Sequence, residues 1–293
     1  LSEWADIIHY QFPWPFADLL ALTRQPRSKP YIVSYQSDII RQNGLNKLYQ
    51  PLMKNFLAKA NSIVATSQKY IVSSPVLSNL KQPVMLIPNG IESELDSASY
   101  QKEKRRYEDI YGRDFFLFLG VFRYYKGLIY LLEAALQTGL DVVIAGDGAE
   151  AGVLHQFVKE HALTNVHFLG HVTKQEKYAL IDIATALILP SSERSEAYGM
   201  VLLEAARQST PMISTELESG TSYINAHNET GLVVTPKNST ELAAAMRYMA
   251  DNEETVKLMS ESAKNRFDKH FTGEIMGKCY TDLYHSVLVE IEL

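Results

Sequence analysis

Residues 184–204 read ATALILPSSERSEAYGMVLLE, a stretch that predicts a strand, a loop and a helix in succession. The apolar run that Pro190 ends is typical of a short buried strand, and the apolar run from Met200 opens a helix. Glu196 therefore lies on the loop after the strand, and Glu204 lies about two turns into the helix. Such strand–loop–helix units are the building blocks of α/β folds.

The N-terminus of this helix predicts an anion site. The backbone amides of Gly199, Met200 and Val201 are unpaired there, and the helix dipole is positive at that end. Glu196 and Glu204 flank this anion site, and each carboxylate can accept hydrogen bonds from vicinal hydroxyls. A sugar nucleotide, which has a phosphate between two sugars, fits such a site. The alternative interpretation is an acidic helix cap followed by an ordinary helical glutamate.

A second segment, residues 116–127, reads FLFLGVFRYYKG. Its apolar strand ends at Gly120, and a loop with Arg123 and Lys126 leads into a helix predicted from Leu128 to Leu136. The alternative interpretation is a solvated basic turn. The anion interpretation is favoured because alternating strands and helices link this loop to the loop that carries Glu196.

The rest of the chain repeats the strand and helix pattern, which predicts parallel pairing and doubly wound sheets. Strands are predicted at residues 5–9, 30–35, 62–66, 84–88, 115–119, 141–145, 166–169, 186–189, 211–214 and 231–234. Helices are predicted at residues 16–22, 46–60 and from Ser260, with caps at Ser67, at Ser239 and in a capping-box pattern from Thr173 to Glu176. Residues 91–101 show no apolar periodicity and predict a linker.

Both loops resemble those of the retaining glycosyltransferases of family 4, also called group 1 transferases. The Glu-x7-Glu motif of that family matches Glu196 and Glu204. The family usually has Gly-Arg-Leu-x-x-x-Lys-Gly at the other loop, with Arg and Lys gripping the donor pyrophosphate. Lys126 falls on the family lysine, whereas Val121 occupies the arginine position. The resemblance implies that Arg123 supplies the missing charge, since guanidinium groups bind phosphate bidentately from more than one approach.

The resemblance implies an α/β chain with the GT-B fold, in which two Rossmann-like domains face each other across a cleft. We expect an acceptor-side domain over residues 1–98, a nucleotide-sugar domain over residues 99–273, and a final helix at about 274–293 that packs back on the first domain. The family's opening strands and glycine-rich first loop have no counterpart here. We therefore expect roughly a third to a half of the first domain to be missing at its N-terminus.

Residues 143–151, VIAGDGAEA, follow a strand and match the Gly-x-Gly-x-x-Ala pattern of dinucleotide sites. The acid expected about 20 residues later is replaced by Leu-Gly-His at residues 169–171. The resemblance offers a better interpretation, because the family carries Gly-Asp-Gly here as a turn near the donor, which makes Gly146 a donor contact.

Further donor contacts follow from the resemblance alone. The family places its base-contacting backbone where this chain has His171 and Val172, with a simple turn as the alternative. The loop that contains Gly220 and Thr221 is expected near the pyrophosphate.

On the acceptor side, the resemblance points to His9, Gln36, Asp38 and Arg41. The family often has histidines where this chain has Gln11 and Gln36, one of them close to the reacting sugar. Glutamine donates hydrogen bonds but cannot act as a general acid or base near neutral pH. The family's front-face route, in which the leaving diphosphate helps deprotonate the acceptor, is compatible with that loss.

Composition narrows the function classes. The single cysteine, Cys279, excludes an internal disulfide and a cysteine-built zinc cluster, and it suits a reducing compartment. No apolar run approaches the roughly 20 residues of a membrane helix. A net charge of −6 without a basic, aromatic-interleaved stretch argues against nucleic-acid binding. We expect a cytoplasmic protein at, or close to, the inner face of the membrane.

Charge is uneven along the chain: residues 1–100 carry a net charge of +2 and the remainder carries −8. Residues 46–59 space three lysines among Leu48, Leu52, Phe56 and Leu57. An interfacial helix with peripheral membrane association is one interpretation. A core helix with solvated lysines is the favoured one.

The expected function is transfer of a hexose, with mannose from GDP-mannose favoured, to a glycan or polyprenyl-linked glycan in bacterial O-antigen synthesis. No cofactor is expected, and the absence of an Asp-x-Asp motif predicts a reaction without a metal. Three alternatives stay open: a sugar-nucleotide epimerase of the same fold, a non-catalytic nucleotide-binding member favoured by Gln36 and Val121, and a pyridoxal-phosphate phosphorylase, for which no candidate lysine stands out.

Overall fold

The computed structural model describes residues 4–14, 16, 19, 29–39, 43–94 and 96–292. The chain divides into two compact units. The first unit contains Leu1–Gly90 together with Gly273–Leu293, and the second contains Ile91–Thr272. The last helix therefore belongs to the first unit. The domain boundary between residues 98 and 99 stays a prediction, and the units divide at Gly90.

The first unit is built on four parallel strands in the order β1-β2-β3-β4. The strands are β1 Ile8–Phe12, β2 Tyr31–Tyr35, β3 Ser62–Ala65 and β4 Val84–Leu86. The helices are α1 Asn43–Ala58, α2 Gln68–Ser73 and, from the end of the chain, α11 Gly273–Glu292. One face of the sheet packs on α1, and Leu283 and Val287 of α11 pack against Ile32, Val64 and Ile87.

The first strand lies later in the sequence than predicted. It was expected at residues 5–9 with a loop from Tyr10, but it runs from Ile8 to Phe12 in register with Tyr31–Tyr35. Tyr10 and Phe12 are buried in the core of the unit, so the strand continues until both rings are covered. The helix predicted at residues 16–22 lies almost wholly outside the described residues.

Helix α1 is the core helix that the lysine-spaced segment favoured. Met53, Phe56 and Leu57 are buried against the sheet, whereas Lys54 and Lys59 are exposed. The described part of its apolar face, at Met53, Phe56 and Leu57, is therefore covered by the sheet. None of the helices among the described residues is long and apolar enough to cross a membrane.

The second unit contains a six-stranded parallel sheet in the order β10-β9-β8-β5-β6-β7. Its strands are β5 Phe115–Leu119, β6 Asp141–Ala145, β7 Val166–Gly170, β8 Ala186–Leu189, β9 Met212–Thr215 and β10 Gly231–Val234, which confirms the predicted strands to within one residue at either end. Its helices are α3 Gln101–Tyr111, α4 Leu128–Thr138, α5 Ala151–Glu160, α6 Lys174–Ile183, α7 Met200–Arg207, α8 Thr221–Ile224, α9 Ser239–Asp251 and α10 Glu253–His270.

The strand order reverses between β5 and β8. The chain runs from β5 outward to β7 and then returns to β8 on the other side of β5. In open α/β sheets, ligands bind at the carboxyl ends of the strands at such a switch point. The two loops singled out by the sequence follow β5 and β8, so the topology brings them together at this edge.

The helix caps predicted from the sequence were confirmed at one helix and displaced at another. The predicted capping box is present, because the Thr173 hydroxyl accepts from the Glu176 amide and the Glu176 carboxylate accepts from the Thr173 amide. The cap predicted at Ser239 lies one residue earlier, at Asn238. The predicted linker is partly ordered: Ile91 bridges to Thr272, and Asp96 caps a helical turn at Ser97–Tyr100 that leads into α3.

Candidate active site

The loops after β5 and β8 meet at an ion pair. Lys126 Nζ lies 2.5 Å from Glu196 Oε2, with 14% of the lysine side chain and 10% of the glutamate side chain exposed. Gly127 makes the approach possible, since its φ is +66° and a Cβ there would lie 2.1 Å from the backbone oxygen of Pro190. The predicted catalytic residues Lys126 and Glu196 are thus in direct contact.

Two serines hold Glu196 in place. Ser191, the second residue after β8, donates from its hydroxyl to Glu196 Oε2 at 3.0 Å. Ser219 donates from its hydroxyl to the backbone oxygen of Glu196, also at 3.0 Å. A buried carboxylate is tolerated when it is paired and hydrogen-bonded. These contacts fix the orientation of the Glu196 carboxylate.

Helix α7 begins directly after this loop. Gly199 is the residue before the helix and has φ +85°, and a Cβ at that position would lie 2.9 Å from Leu189 and 3.1 Å from Leu202. The first amides of a helix have no partner within the helix. The amides of Met200 and Val201 lie at this helix N-terminus, on the same edge of the sheet as the Lys126–Glu196 pair. Their role as an anion site stays a prediction.

A cavity of about 290 Å³ opens at the carboxyl ends of β5, β6 and β7. It brings together five of the predicted donor contacts, namely Gly146, His171, Val172, Val201 and Glu204. Its floor needs glycine, since Gly146 has φ +139° and a Cβ there would lie 1.9 Å from the oxygen of Gly120. The cavity lies beside the first turns of α7, since Val201 and Glu204 line it.

Glu204 is paired at the edge of this cavity. Lys177 Nζ lies 2.6 Å from Glu204 Oε1, and about a quarter of each side chain is exposed. Lys177 was not among the residues predicted from the sequence. The available signal was its place one residue after the capping-box Glu176, in the first turn of the helix that follows the loop of His171.

Two predicted phosphate contacts are already engaged. The amide of Gly220 donates to the oxygen of Ala197 at 2.9 Å. Thr221 is buried, and its hydroxyl donates to the oxygen of Thr215 at 3.3 Å. These hydrogen bonds position the loop after β9, and the predicted phosphate contacts stay a prediction.

The departure from the family at Val121 is visible on the surface. Val121 is 52% exposed and lines the 290 Å³ cavity, and Arg123 is exposed as well. The amide of Arg123 donates to the oxygen of Val121, and its own oxygen accepts from the amide of Lys126. Among the described residues, no acidic side chain pairs with Arg123, so its guanidinium is available to an anion.

In the first unit, His9 is tied into a polar cluster. One ring nitrogen is hydrogen-bonded to the Ser34 hydroxyl at 2.7 Å and the other to the Tyr284 hydroxyl at 2.8 Å. The Ser34 hydroxyl is also hydrogen-bonded to that of Tyr280 at 2.7 Å. Burial lowers the pKa of His9, which favours the neutral ring. With both nitrogens engaged, His9 anchors α11 to the sheet rather than presenting a free base to an acceptor.

The other acceptor-side residues differ in their surroundings. Asp38 Oδ1 accepts from the hydroxyls of Tyr35 at 2.9 Å and Ser74 at 2.6 Å. Burial, followed by the neighbouring Asp38, raises the pKa of Tyr35. Gln36 donates from its side-chain amide to Gln11 at 3.2 Å. Arg41 lies outside the described residues.

Among the described residues, no group of three or more His, Cys, Asp or Glu side chains could hold a metal ion.

Sequence comparison identifies the family. Residues 100–266, more than half of the chain, match the family described as glycosyl transferases group 1. The chain belongs to the group 1 glycosyltransferases. It is 40% identical to O-antigen chain mannosyltransferase C of Escherichia coli over 97% of this chain and 76% of that protein. It is 41% identical to the D-rhamnosyltransferase WbpZ of Pseudomonas aeruginosa over 93% of this chain and 71% of that protein.

Solved structures confirm the GT-B fold of this glycosyltransferase. The HepE protein of Anabaena, in complex with UDP, superimposes with a TM-score of 0.84 at 17% identity, covering 97% of this chain and 79% of that one. Sucrose-phosphate synthase of Thermosynechococcus elongatus gives a TM-score of 0.82 at 20% identity, covering 97% and 74%. At these identities the likeness concerns the fold alone.

Proposed function

We propose that this group 1 glycosyltransferase transfers a hexose, with retention of configuration, from a nucleotide diphosphate sugar to a glycan or polyprenyl-linked glycan. GDP-mannose is the favoured donor, and O-antigen synthesis is the favoured context. The observation that carries the proposal is the ion pair between Lys126 and Glu196, which joins the loop after β5 to the loop that leads into α7. The two named relatives, a mannosyltransferase and a rhamnosyltransferase, support the donor class.

The departing diphosphate is the group whose charge the site must stabilise. Lys126 carries a cation on the loop after β5, and the amides of Met200 and Val201 point the positive end of α7 to the same edge of the sheet. Arg123 adds a second cation on an exposed turn. Fixed donors and cations aimed at developing charge are usually the largest contribution to catalysis.

The glutamates hold the two sugars of the donor. Glu204 accepts hydrogen bonds from the vicinal hydroxyls of the ribose in the 290 Å³ cavity. Glu196 accepts from hydroxyls of the transferred sugar and stabilises positive charge at its anomeric carbon. The leaving diphosphate oxygen takes the acceptor proton on the same face, which gives retention and requires no histidine base in the first unit.

The reaction requires neither a metal nor an organic cofactor in this proposal, since cations of the chain itself face the diphosphate. The acceptor binds on the side of the first unit, where Gln36 contributes hydrogen bonds. A lipid-linked acceptor places the enzyme at the inner face of the bacterial membrane as a peripheral protein.

The test is calorimetric titration with GDP and with UDP, using the wild type, Glu204→Ala and, as a matched control, Glu160→Ala on the surface of α5. We expect GDP-selective binding that weakens at least tenfold in Glu204→Ala, because hydrogen bonds to a charged group contribute about 1.5–3 kcal/mol. Glu160→Ala should bind like the wild type. A preference for UDP would overturn the mannose donor, and equal affinity of all three proteins would overturn the role of Glu204.

Turnover of GDP-mannose with a lipid-linked acceptor then tests the reaction. The anomeric configuration of the product, read by NMR, should match that of the donor. An inverted product would overturn the retaining mechanism while leaving the nucleotide site intact.

A further inference from the structure

The second unit has another cavity at the opposite edge of its sheet. It has a volume of about 250 Å³ and lies at the amino-terminal ends of β8 and β9, whereas the candidate active site lies at the carboxyl edge of the sheet. Its lining includes Asp182, Arg207, Gln208, Ser209 and Lys264. None of these residues takes part in the proposed transfer reaction.

Arg207 is the unusual member of this lining. It is only 6% exposed, and its Nη1 donates to the backbone oxygen of Glu92 at 3.2 Å. Its Nε and Nη2 are buried without a hydrogen-bond partner. Its guanidinium lies 5.0 Å from the ring centre of Tyr178, and no acidic side chain among the described residues pairs with it. A buried cation in that condition is costly, so an occupant that accepts from both nitrogens would be stabilising.

The neighbouring groups do not compensate this charge. Asp182 is already engaged, with Lys104 Nζ at 2.7 Å and the Tyr100 hydroxyl at 3.3 Å. Lys264 adds a second cation to the lining, although its ammonium also contacts Asp268 at 2.5 Å. The cavity therefore carries a surplus positive charge next to the Ser209 side chain.

The two unpaired nitrogens favour one ligand geometry. Nε and Nη2 lie on the same side of a guanidinium and form the fork that binds two oxygens of a phosphate or carboxylate. Buried Oε1 of Gln208 has no donor, while its Nε2 donates to the oxygen of Tyr178 at 2.8 Å. A carboxylate cannot donate to Gln208, whereas a singly protonated phosphate both accepts from Arg207 and donates.

We propose that this cavity binds the phosphate group of a small phosphorylated compound. Arg207 binds two phosphate oxygens, Lys264 approaches from α10, and Gln208 accepts a hydrogen bond from the ligand. A volume of about 250 Å³ lies below the roughly 300–1,000 Å³ of pockets for drug-sized ligands, so it suits a small phosphorylated compound. Free phosphate and a short phosphate ester both present the oxygens and the proton that this cavity would bind.

The experiment measures thermal unfolding against phosphate concentration at constant ionic strength. It uses the full chain carrying Lys126→Gln, which removes the buried cation of the donor site and so weakens phosphate binding there. We expect the unfolding temperature to rise and saturate with phosphate, because a ligand of the folded state stabilises it. Arg207→Gln should raise the half-saturating concentration at least tenfold, and Lys264→Gln should raise it several-fold.

Lys257→Gln is the matched control, since it removes the same charge from α10 outside this cavity. It should titrate like its parent. A parent protein without saturable stabilisation, or equal effects of Lys257→Gln and Lys264→Gln, would overturn the site. Lys264 lies on the surface, so its variant keeps the test valid should Arg207→Gln fail to fold. A parallel titration with glycerol 3-phosphate separates the sources: tighter binding than inorganic phosphate assigns an ester, and weaker binding assigns the free ion.

Discussion

The contact between Lys126 and Glu196 holds two opposite charges in a nearly dry environment, where each makes the other tolerable. In the proposed reaction the two members of the pair act separately: Lys126 binds the diphosphate of the donor, and Glu196 binds its sugar. Arg123 differs, because it is exposed and its charge is screened by solvent. The two cations of this loop should contribute unequally.

We predict that Lys126→Gln lowers kcat about 10²–10³-fold, the range for removing one stabilising donor from a developing oxyanion. Arg123→Gln should lower it much less. Steady-state assays with GDP-mannose measure both. Equal losses in the two variants would show that exposure does not decide the contribution of these cations.

A second residue-scale prediction concerns pH. Because burial lowers the pKa of His9, the unfolded chain binds a proton that the folded chain does not when the pH falls below about 6.5. The free energy of unfolding should thus fall as the pH drops from 7 to 5. In His9→Gln this fall should be smaller, with His270, whose pKa burial also lowers, accounting for part of the remainder.

Chemical denaturation at several pH values provides the measurement. If His9→Gln and wild type show parallel pH profiles, His9 does not stay neutral in the folded protein.

Residue types alone predicted part of the site. Glu196 and Glu204 were found because their spacing is local, within one loop and one helix. Lys177 was missed because its partner lies 27 positions away and meets it only after α6 and α7 pack. The role of His9 could not be predicted for the same reason, since Tyr284 lies 275 positions away.

At the scale of elements, the start of α7 depends on one left-handed residue. Gly199 is the last residue of the loop that carries Glu196, and the helix that carries Glu204 begins directly after it. Its backbone therefore sets the position of Glu196 relative to Glu204. Any side chain there would meet Leu189 and Leu202 as well as the strain of a positive φ.

We predict that Gly199→Ala lowers the free energy of unfolding by about 1–3 kcal/mol and weakens GDP binding. Gly139→Ala is the matched control, since Gly139 has φ +69° but a Cβ there would meet no atom within 4 Å. The control should lose about 1 kcal/mol and keep its nucleotide affinity. Denaturant unfolding and calorimetry distinguish the two, and an equal loss of affinity would contradict the geometric role of Gly199.

Helices and strands were predictable where a short apolar run could only be a buried strand. The strands of the second unit are short apolar runs covered on both faces, and the predicted bounds hold to within a residue. Strand β1 was displaced because His9 and Gln11 interrupt its apolar pattern, and only the pairing with β2 shows where it ends. Helix α3, which begins where the predicted linker ends, was not predicted because its sequence, QKEKRRYEDIY, is largely polar.

At the scale of the molecule, α11 completes a unit that begins at the other end of the chain. Leu283 and Val287 cover Ile32 and Val64, and Tyr284 binds His9. Without this helix one face of the four-stranded sheet would be uncovered. The second unit has its own cores and does not require α11.

We predict that a variant ending at Thr272 loses amide protection in β2 but keeps it in β5. Hydrogen exchange followed by mass spectrometry resolves the two strands, and GDP titration of the same variant should retain measurable affinity. Retained protection in β2 would show that the first sheet is stable without α11.

The pairing of the two chain ends also sets an order of events during synthesis. Translation at about 5–20 residues per second separates the emergence of β3 from that of α11 by on the order of ten seconds or more. During that interval the ribosome delivers the whole of Ile91–Thr272, which can fold, while Ile32 and Val64 remain exposed to solvent. The nascent chain therefore exposes one apolar face of the first sheet, which a holding chaperone would recognise. Premature termination near the end would release a protein with a folded second unit and an aggregation-prone first unit.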